Sequence, residues 1–247
     1  MSLFDDTDMK EVCVLGASGF LGQHLVEGTG WKSVTRSDLD LLDQQAVEAF
    51  FLRNRYDTVI HCAVLGGSRL RADEESVTHR NILMFENVVR VFSGTLIYFS
   101  SGAALQGTPP TAPYGLSKWI IDRRIETLQA AHSIRIWGCY GRGELSTRFS
   151  AICQREGHVM IDQDRYFDFV AVEDVKAVVN DFVLGRRTEK FFNAVYEKKR
   201  LLSEWAEFFG ATSTIRDTGS LGEPYCLDRG GVEFQSELCL SGPTARE

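Results

Sequence analysis

The sequence predicts an α/β fold, a doubly wound parallel sheet with helices on both faces and a small C-terminal lobe. Apolar runs of strand length alternate with helix-like segments over the first two-thirds of the chain. Strands of a parallel sheet that is covered on both faces have this unbroken apolar character. The first run also leads directly into a glycine-rich turn that opens a helix, as in a dinucleotide-binding βα unit.

Each element follows from this alternation. Strands are expected at residues 11–15, 33–35, 58–63, 95–99 and 134–137. Helices are expected between them at residues 19–27, 44–54, 77–92 and 114–131. Beyond residue 143 the pattern weakens to a strand near 167–172, a helix at 175–184, a strand at 191–195 and a helix at 201–209, and residues 210–247 show no assignable pattern. We therefore expect a dinucleotide-binding domain at residues 1–145, whose core continues near 167–184, and mainly a substrate-binding lobe at residues 146–247.

Composition narrows the class of protein. The 247 residues are 44% hydrophobic and 25% charged, which suits one globular unit with a full core. The net charge of -7 argues against a nucleic-acid partner. No apolar run could span a bilayer, and the polar N-terminal stretch lacks the layout of a signal peptide, so we expect no membrane partner and a cytoplasmic protein. The six cysteines show no metal-ligand spacing and are expected to be reduced.

The glycine-rich turn is the expected cofactor site. Glycines at this spacing allow a tight turn and a close approach of backbone to a pyrophosphate, and the following helix supplies N–H donors. The candidate contacts are Gly16, Ser18, Gly19, Phe20, Leu21 and Gly22.

The residue after the second strand contacts the adenosine ribose in this kind of fold. Arg36 stands there, and a guanidinium suits the 2′-phosphate of NADP(H). Asp38 lies two residues further on, so NAD(H) stays open as the alternative. Asp40 and Leu41 follow where they can touch the adenine edge.

A tyrosine and a lysine four residues apart are the expected catalytic pair. Tyr114 and Lys118 share one face of a helix, so the ammonium is expected to lower the pKa of the phenol. Such a tyrosine can exchange a proton with a hydroxyl or carbonyl near neutral pH. Ser100 and Ser101 end the preceding strand.

These segments together resemble the extended short-chain dehydrogenase/reductase family, of the NAD-dependent epimerase/dehydratase type. The similar segments span about residues 11–174, and they read GASGFLG, DLDLLD, VIHCA, FSSGAA, YGLSK and IRIWGCYG. The resemblance implies a Rossmann fold, with Ala63 among the cofactor contacts. It also implies that Tyr114 is the acid/base, that Lys118 is its partner and ribose ligand, and that Ser101, or Ser100 one residue earlier, donates a hydrogen bond to the reacting oxygen.

Within the family, the chain looks most like the GDP-fucose synthases, which are NADPH-dependent, and it departs from them in the substrate site. Their epimerising cysteine falls on Gly102 here, and their histidine falls on Thr147 or Arg148. His158 reads better as a strand residue than as a catalytic acid. Gly138 replaces the usual asparagine, which is expected to open space beside the substrate.

The expected function is NADP(H)-dependent reduction of a 4-keto nucleotide sugar. Arg148 and Arg165 are the candidates to meet the diphosphate, because guanidinium groups pair with phosphate. An epimerase with tightly bound NAD(P) and a non-catalytic NADP(H)-sensing relative are the alternatives. The resemblance also implies a homodimer that pairs the helices expected at residues 77–92 and 114–131. The base, the sugar and the product stereochemistry are not determined by the sequence.

Overall fold

A six-stranded parallel sheet forms the centre of the protein. The structure is a computed structural model that describes residues 10–68, 70–227 and 240. All neighbouring strands of the sheet run parallel. In spatial order they are β10 (Phe191–Ala194), β5 (Ala131–Ile136), β4 (Thr95–Ser101), β3 (Thr58–His61), β1 (Val12–Leu15) and β2 (Lys32–Val34). The predicted fold class is confirmed.

Helices cover both faces of this sheet. One face carries α1 (Phe20–Val26) and α6 (Val172–Val183), and the other carries α2 (Gln44–Arg53), α3 (Ser76–Val89) and α4 (Pro113–Glu126). Side chains of β4 alternate between the two apolar layers: Ile97 and Phe99 join the first, and Leu96 and Tyr98 join the second. The position of a residue along the strand therefore decides which apolar layer its side chain joins.

Helix α4 is shorter than the sequence predicts. It ends at Glu126, and β5 begins at Ala131, the residue where the predicted helix was to end. Leu96 donates its backbone N–H to Ala130 at 2.8 Å, and Ala131 lies in register with Leu96. Pairing with β4 therefore overrides the helix-like apolar spacing of this segment, which sequence periodicity alone does not separate from strand.

The small lobe is built from three two-stranded pairings and two helices. Pairs form between β6 (Gly138–Tyr140) and β9 (Phe169–Ala171), between β7 (His158–Gln163) and β12 (Thr212–Asp217), and between β8 (Tyr166–Phe167) and β11 (Arg200–Leu201). The helices are α5 (Phe149–Glu156) and α7 (Leu202–Phe208). The sequence did not predict α5 or β12, and it indicated β7 only through His158, which reads as a strand residue. Strand β12 pairs with a strand that lies 54 residues earlier, and local sequence pattern does not report such a distant partner.

An aromatic cluster joins the lobe to the central sheet. Trp205 of α7 is 1% exposed and stacks on Phe209 at 5.7 Å, with Phe169 edge-on at 5.3 Å. Its indole N–H donates to the Phe167 carbonyl at 2.7 Å. The same apolar layer continues into the sheet through Phe99 of β4. The lobe is therefore fixed against the sheet by a shared core.

Strand β10 belongs to the central sheet, although the sequence placed the dinucleotide-binding core at residues 1–145 and near 167–184. This strand pairs with β5 although it follows residue 184, so the chain re-enters the sheet after building part of the lobe. The domain division at residue 145 stays a prediction.

The described residues contain neither a membrane-spanning helix nor a metal-binding cluster. No described helix combines the length and the apolar character that a membrane span requires. No group of three or more described His, Cys, Asp or Glu residues could hold a metal ion. Cys13, Cys62, Cys139 and Cys153 are free thiols, and Cys239 lies outside the described residues. The cytoplasmic location stays a prediction.

Candidate active site

A cleft of about 1040 Å³ opens where the carboxyl ends of the central strands meet the small lobe. Ligand sites of open parallel sheets lie at this edge. Most predicted site residues line the cleft, namely Ser18, Gly19, Phe20, Leu21, Gly22, Ser100, Ser101, Tyr114, Lys118, Arg148 and Arg165. The fold therefore brings the glycine turn, the tyrosine–lysine pair and both arginines to one opening.

A second cavity of about 280 Å³ continues from the first beside the end of β2. The two share Ser18, Gly19, Cys62 and Val64. The predicted residues that line the second cavity are Gly16, Ser18, Gly19, Arg36, Asp40, Leu41 and Ala63. The two cavities together offer an elongated site with the glycine turn at its middle.

The glycine turn is shaped by close backbone contacts. Gly16 has φ of +79°, and a Cβ there would lie 2.6 Å from the Ala63 backbone nitrogen. A Cβ on Gly22 would lie 2.5 Å from the Gly16 carbonyl oxygen. Gly16 and Ala17 both donate backbone N–H groups to the Val34 carbonyl, which ties the turn to β2. Both glycines are thus required for the turn to pack between β1, β3 and α1.

Two arginines line the smaller cavity. The Arg36 side chain is 69% exposed, and its Nη2 lies 3.9 Å from the Asp40 carboxylate. Arg80, half-buried on α3, lines the same cavity and was not predicted from the sequence. Its position depends on how α3 packs beside β1 and β3, so no local motif marks it.

Tyr114 lies at the start of α4, with its phenol close to the Ser101 side chain. Burial raises the pKa of Tyr114 to about 12, while the hydrogen bond with Ser101 and the charge of Arg148 act to lower it. The sequence predicted that Lys118 would hold this pKa down, and that prediction is wrong for the protein without cofactor. Desolvation of the phenolate outweighs the charges near it.

The Lys118 ammonium is directed into the protein beneath Tyr114. It donates to the Phe99 carbonyl at 2.6 Å and to the Tyr98 hydroxyl at 2.8 Å, and it lies 5.5 Å from the Tyr114 ring centre. Burial lowers the pKa of Lys118 to about 7, against the opposing effects of Asp122 and Cys62. Burial thus disfavours the charged form of Lys118, as it disfavours the charged form of Tyr114.

The two serines at the end of β4 have different surroundings. Ser101 interacts with Tyr114, and its Oγ accepts the backbone N–H of Ala103 at 3.2 Å. The Ser100 Oγ is buried and has no hydrogen-bond partner among the described residues. Both serines line the cleft, but only Ser101 acts on the pKa of Tyr114.

Gly102 and Gly138 do not border the cleft, although both were predicted to meet the substrate. A Cβ on Gly102 would lie 2.3 Å from the Nε1 atom of Trp137, so the indole lies flat against this glycine. A Cβ on Gly138 would meet Phe169 at 2.7 Å and Phe167 at 2.9 Å. The expectation that Gly138 opens space is wrong, since aromatic rings fill that space.

Trp137 occupies the space that a side chain at Gly102 would need. It lines the cleft, is 6% exposed, and packs with Val195 and Tyr225. Tyr225 also lines the cleft, and its hydroxyl is near enough to raise the pKa of Tyr114. Trp137 lay inside a motif noted in the sequence, but its role depends on the missing side chain at Gly102, which only the packing reveals.

The lobe contributes two arginines to the lining of the cleft. Arg148 precedes α5 and acts on Tyr114 electrostatically, while Arg165 lies between β7 and β8 against Gly222. Neither guanidinium forms an ion pair with a carboxylate in the described part of the chain. Lobe residues that the sequence did not single out also line the cleft, namely Met160, Asp162, Gln163 and Leu202.

His158 is a strand residue, as predicted. It begins β7, is exposed, and its Nδ1 atom bonds to the Thr212 hydroxyl at 2.8 Å. It is not among the residues that line the cleft. The geometry gives no support to a catalytic role for this histidine.

Comparisons with known proteins agree with this architecture. UDP-glucose 4-epimerase of Neisseria meningitidis serogroup B is 26% identical over 170 residues, which cover 50% of this chain and 49% of that protein. The chain thus spans about half the length of the curated relatives it matches.

Solved structures show the same fold. A dTDP-4-dehydrorhamnose reductase from Bacillus anthracis str. Ames, in complex with NADP, aligns with a TM-score of 0.75 at 19% identity, covering 87% of this chain and 88% of that one. A GDP-L-fucose synthetase from Naegleria fowleri bound to NADP aligns with a TM-score of 0.69 at 16% identity, covering 89% and 84%.

The sequence profile of one family matches more than half of the chain, from residue 12 to residue 190. That range holds the glycine turn, the serine pair, Tyr114 and Lys118. The chain belongs to the NAD dependent epimerase/dehydratase family.

Proposed function

We propose that the protein is an NADP(H)-dependent reductase that acts on the 4-keto group of a nucleotide sugar. The observation that carries this proposal is Tyr114, which is bonded to Ser101 at the floor of the cleft with Lys118 one turn further along α4. The glycine turn and the Arg36 cavity lie in the same opening. A proton donor therefore lies in the same opening as the residues expected to bind a dinucleotide.

The residues present fit such a cofactor. Gly16 and Gly22 are packed too tightly against the protein's own backbone for a Cβ, whereas a Cβ on Gly19 would meet only the Gly16 carbonyl oxygen, at 3.4 Å. The backbone at Gly19 is therefore open to a pyrophosphate. Arg36 and Arg80 line the cavity where the adenosine end belongs, and guanidinium groups suit a 2′-phosphate. The names of the similar Bacillus anthracis and Naegleria fowleri structures, which contain NADP, support the same choice. NAD(H) is the alternative cofactor.

The proposed chemistry uses three side chains. When bound, NADPH supplies a hydride to the carbonyl carbon. Tyr114 gives its phenolic proton to the alkoxide that forms, so the product is the alcohol. Ser101 donates a hydrogen bond where negative charge grows, and the Lys118 ammonium favours the phenolate that Tyr114 becomes. The high pKa of Tyr114 keeps this group protonated before the reaction, as a proton donor requires.

Two arginines of the lobe support a diphosphate substrate. Arg148 and Arg165 face the cleft, and each can bind a phosphate through paired N–H donors. The relatives are named as enzymes of nucleotide sugars linked to dTDP, GDP or UDP. We therefore assign a nucleotide diphosphate sugar as the substrate class.

Replacing the proton donor tests the reaction. Tyr114→Phe should lower kcat by about 100-fold or more, because the alkoxide loses its acid, while the Kd for NADPH changes little. NADPH oxidation is followed by absorbance with dTDP-4-dehydrorhamnose and a GDP-linked 4-keto sugar as substrates. Tyr56→Phe, at a half-exposed tyrosine packed on Phe50, is the matched control. Turnover by Tyr114→Phe at the rate of the unmodified protein would refute the mechanism.

Cofactor preference can be measured without a substrate. Arg36→Ala should weaken NADPH binding by about 10- to 100-fold and leave NADH binding nearly unchanged, since it removes charge-assisted hydrogen bonds to the 2′-phosphate. Titration of nicotinamide fluorescence measures both constants. Arg53→Ala, at an exposed arginine that ends α2, controls for lost surface charge. If the unmodified protein binds NADH more tightly than NADPH, the cofactor is NAD(H).

Epimerisation is the second candidate, because the curated relative is named an epimerase. An epimerase that oxidises and re-reduces its sugar with tightly bound NAD(P) needs no further acid or base, and its cofactor should copurify with the protein. Epimerisation by proton transfer at a carbon beside a ketone does need an acid or base there, and the Gly102 position offers none. The indole of Trp137 also occupies the space that a side chain at Gly102 would need. This packing favours simple reduction.

The close packing of Trp137 against Gly102 predicts that a side chain at position 102 lowers the stability of the protein. Gly102→Cys should lower the Tm by several degrees, because its Sγ and Cβ displace the buried indole of Trp137. Thermal unfolding measures the change, with Ser93→Cys at an exposed position as the thiol control. An unchanged Tm would mean that Trp137 yields readily. Deuterium from D₂O appearing at carbons beside the carbonyl of dTDP-4-dehydrorhamnose would identify an epimerase that works by proton transfer, and NAD(P) that copurifies with the protein would favour one that oxidises and re-reduces its sugar.

A non-catalytic NADP(H)-sensing protein is the third candidate. The chain keeps Tyr114, Lys118 and Ser101 together in the cleft, and a pure sensor has no need of this set. Cofactor binding without turnover of any keto sugar would favour the sensor.

We also propose a homodimer that pairs α3 and α4 across a two-fold axis. Half-buried apolar side chains lie on these helices, among them Ile82, Leu83, Leu116, Trp119 and Ile120. Light scattering at micromolar concentration should give twice the chain mass of 27.7 kDa, and Trp119→Glu should return it towards the single mass by placing a charge in the contact. A single mass for the unmodified protein would exclude this dimer.

A further inference from the structure

The amine of Lys118 forms a hydrogen bond with a buried tyrosine. Tyr98 of β4 is 2% exposed, and its hydroxyl accepts a hydrogen bond from the Lys118 Nζ at 2.8 Å. The same Nζ lies 4.4 Å from the Tyr98 ring centre. Lys118 itself is 2% exposed, so both groups of this hydrogen bond are shielded from water. A hydrogen bond from a charged donor is strongest in such surroundings.

Two of the three ammonium protons are fixed by β4. One is donated to Tyr98 and one to the Phe99 carbonyl, and both acceptors are on neighbouring residues of a central strand. The cleft lies on the other side of Nζ, where Tyr114 stands. The two acceptors therefore fix where the amine sits relative to the cleft.

The other ionisable groups around Lys118 do not replace this contact. On α4, Asp122 is occupied by Ser133 and by Arg135, each at 2.8 Å. On β3, burial lowers the pKa of His61 to about 4, with Lys118 acting in the same direction, so this ring is neutral. Burial also raises the pKa of the Cys62 thiol, which is therefore uncharged.

Tyr98 is itself uncharged across the working range of pH. Burial raises its pKa well above the ordinary value, with Tyr114 and Asp122 acting in the same direction. The hydroxyl therefore serves as a neutral acceptor. It stabilises the ammonium without the strong pull of a carboxylate, so the amine stays available to the cleft.

We propose that Tyr98 is a positioning residue that holds the Lys118 amine towards the cofactor and sets the pH range over which Lys118 binds it. This inference rests on the proposed function, in which Lys118 contacts the cofactor ribose. Its sign follows from the hydrogen bond. An acceptor stabilises the charged form of an amine, so removing the acceptor moves the loss of charge to lower pH.

The test measures NADPH affinity against pH. Nicotinamide fluorescence gives the Kd from pH 5.5 to pH 9 for the unmodified protein, Tyr98→Phe, Lys118→Met and Tyr196→Phe. Affinity should fall as pH rises through the titration of Lys118, and this step should vanish in Lys118→Met. In Tyr98→Phe the midpoint of the step should move down by about one pH unit. The phenylalanine keeps the ring contacts and loses only the hydroxyl.

Tyr196→Phe is the matched control for losing a buried phenol hydroxyl. The Tyr196 hydroxyl donates to Asp174 at 2.5 Å and accepts the Ala171 N–H at 3.0 Å, away from Lys118. It should leave the midpoint unchanged. Thermal unfolding of every variant is recorded in parallel.

The outcomes separate this inference from the proposed function. If Lys118→Met keeps the pH step, the lysine does not bind the cofactor and the proposed site fails. If the step vanishes in Lys118→Met but its midpoint is unchanged in Tyr98→Phe, only the role of Tyr98 is refuted. A lower Tm of Tyr98→Phe with an unchanged midpoint would likewise reduce Tyr98 to a core residue.

Discussion

The parallel pairing of β4 with β5 is the constraint on which the site depends. In this register Ser101 lies beside Ile136, so the next residues of the two strands, Gly102 and Trp137, meet as well. The absence of a side chain at Gly102 is what lets the indole lie at this edge of the sheet. The same strand provides the acceptors for Lys118. One β-strand thus positions the hydrogen-bond donor, the lysine and the aromatic wall of the cleft.

Burial controls the chemistry of the tyrosine–lysine pair. It raises the pKa of Tyr114 to about 12 and lowers that of Lys118 to about 7, so both groups favour their neutral forms. The neutral phenol is the form that donates a proton. This state of the pair suits the carbonyl reduction that we propose, in which the charge of Lys118 depends on its contacts with β4.

In the proposed function, the lobe contributes substrate recognition rather than proton transfer. Its core is continuous with that of the sheet through Trp205 and Phe169, which holds Arg148 and Arg165 at the cleft. Tyr225, from a segment with no periodic pattern, reaches the same opening beside Trp137. Substrate selection therefore depends on residues that are far apart in the chain.

The sequence alone determined the fold class and the residues of the tyrosine, lysine, serine and glycine motifs, because short-range spacing encodes them. It did not determine the end of α4 or the strand β12, whose pairing partner is distant, and it indicated β7 only through His158. It predicted open space at Gly138 that Phe167 and Phe169 fill, and a lowered pKa for Tyr114 that burial raises. Tertiary structure decided these points, since packing and desolvation depend on neighbours that only the folded chain brings together.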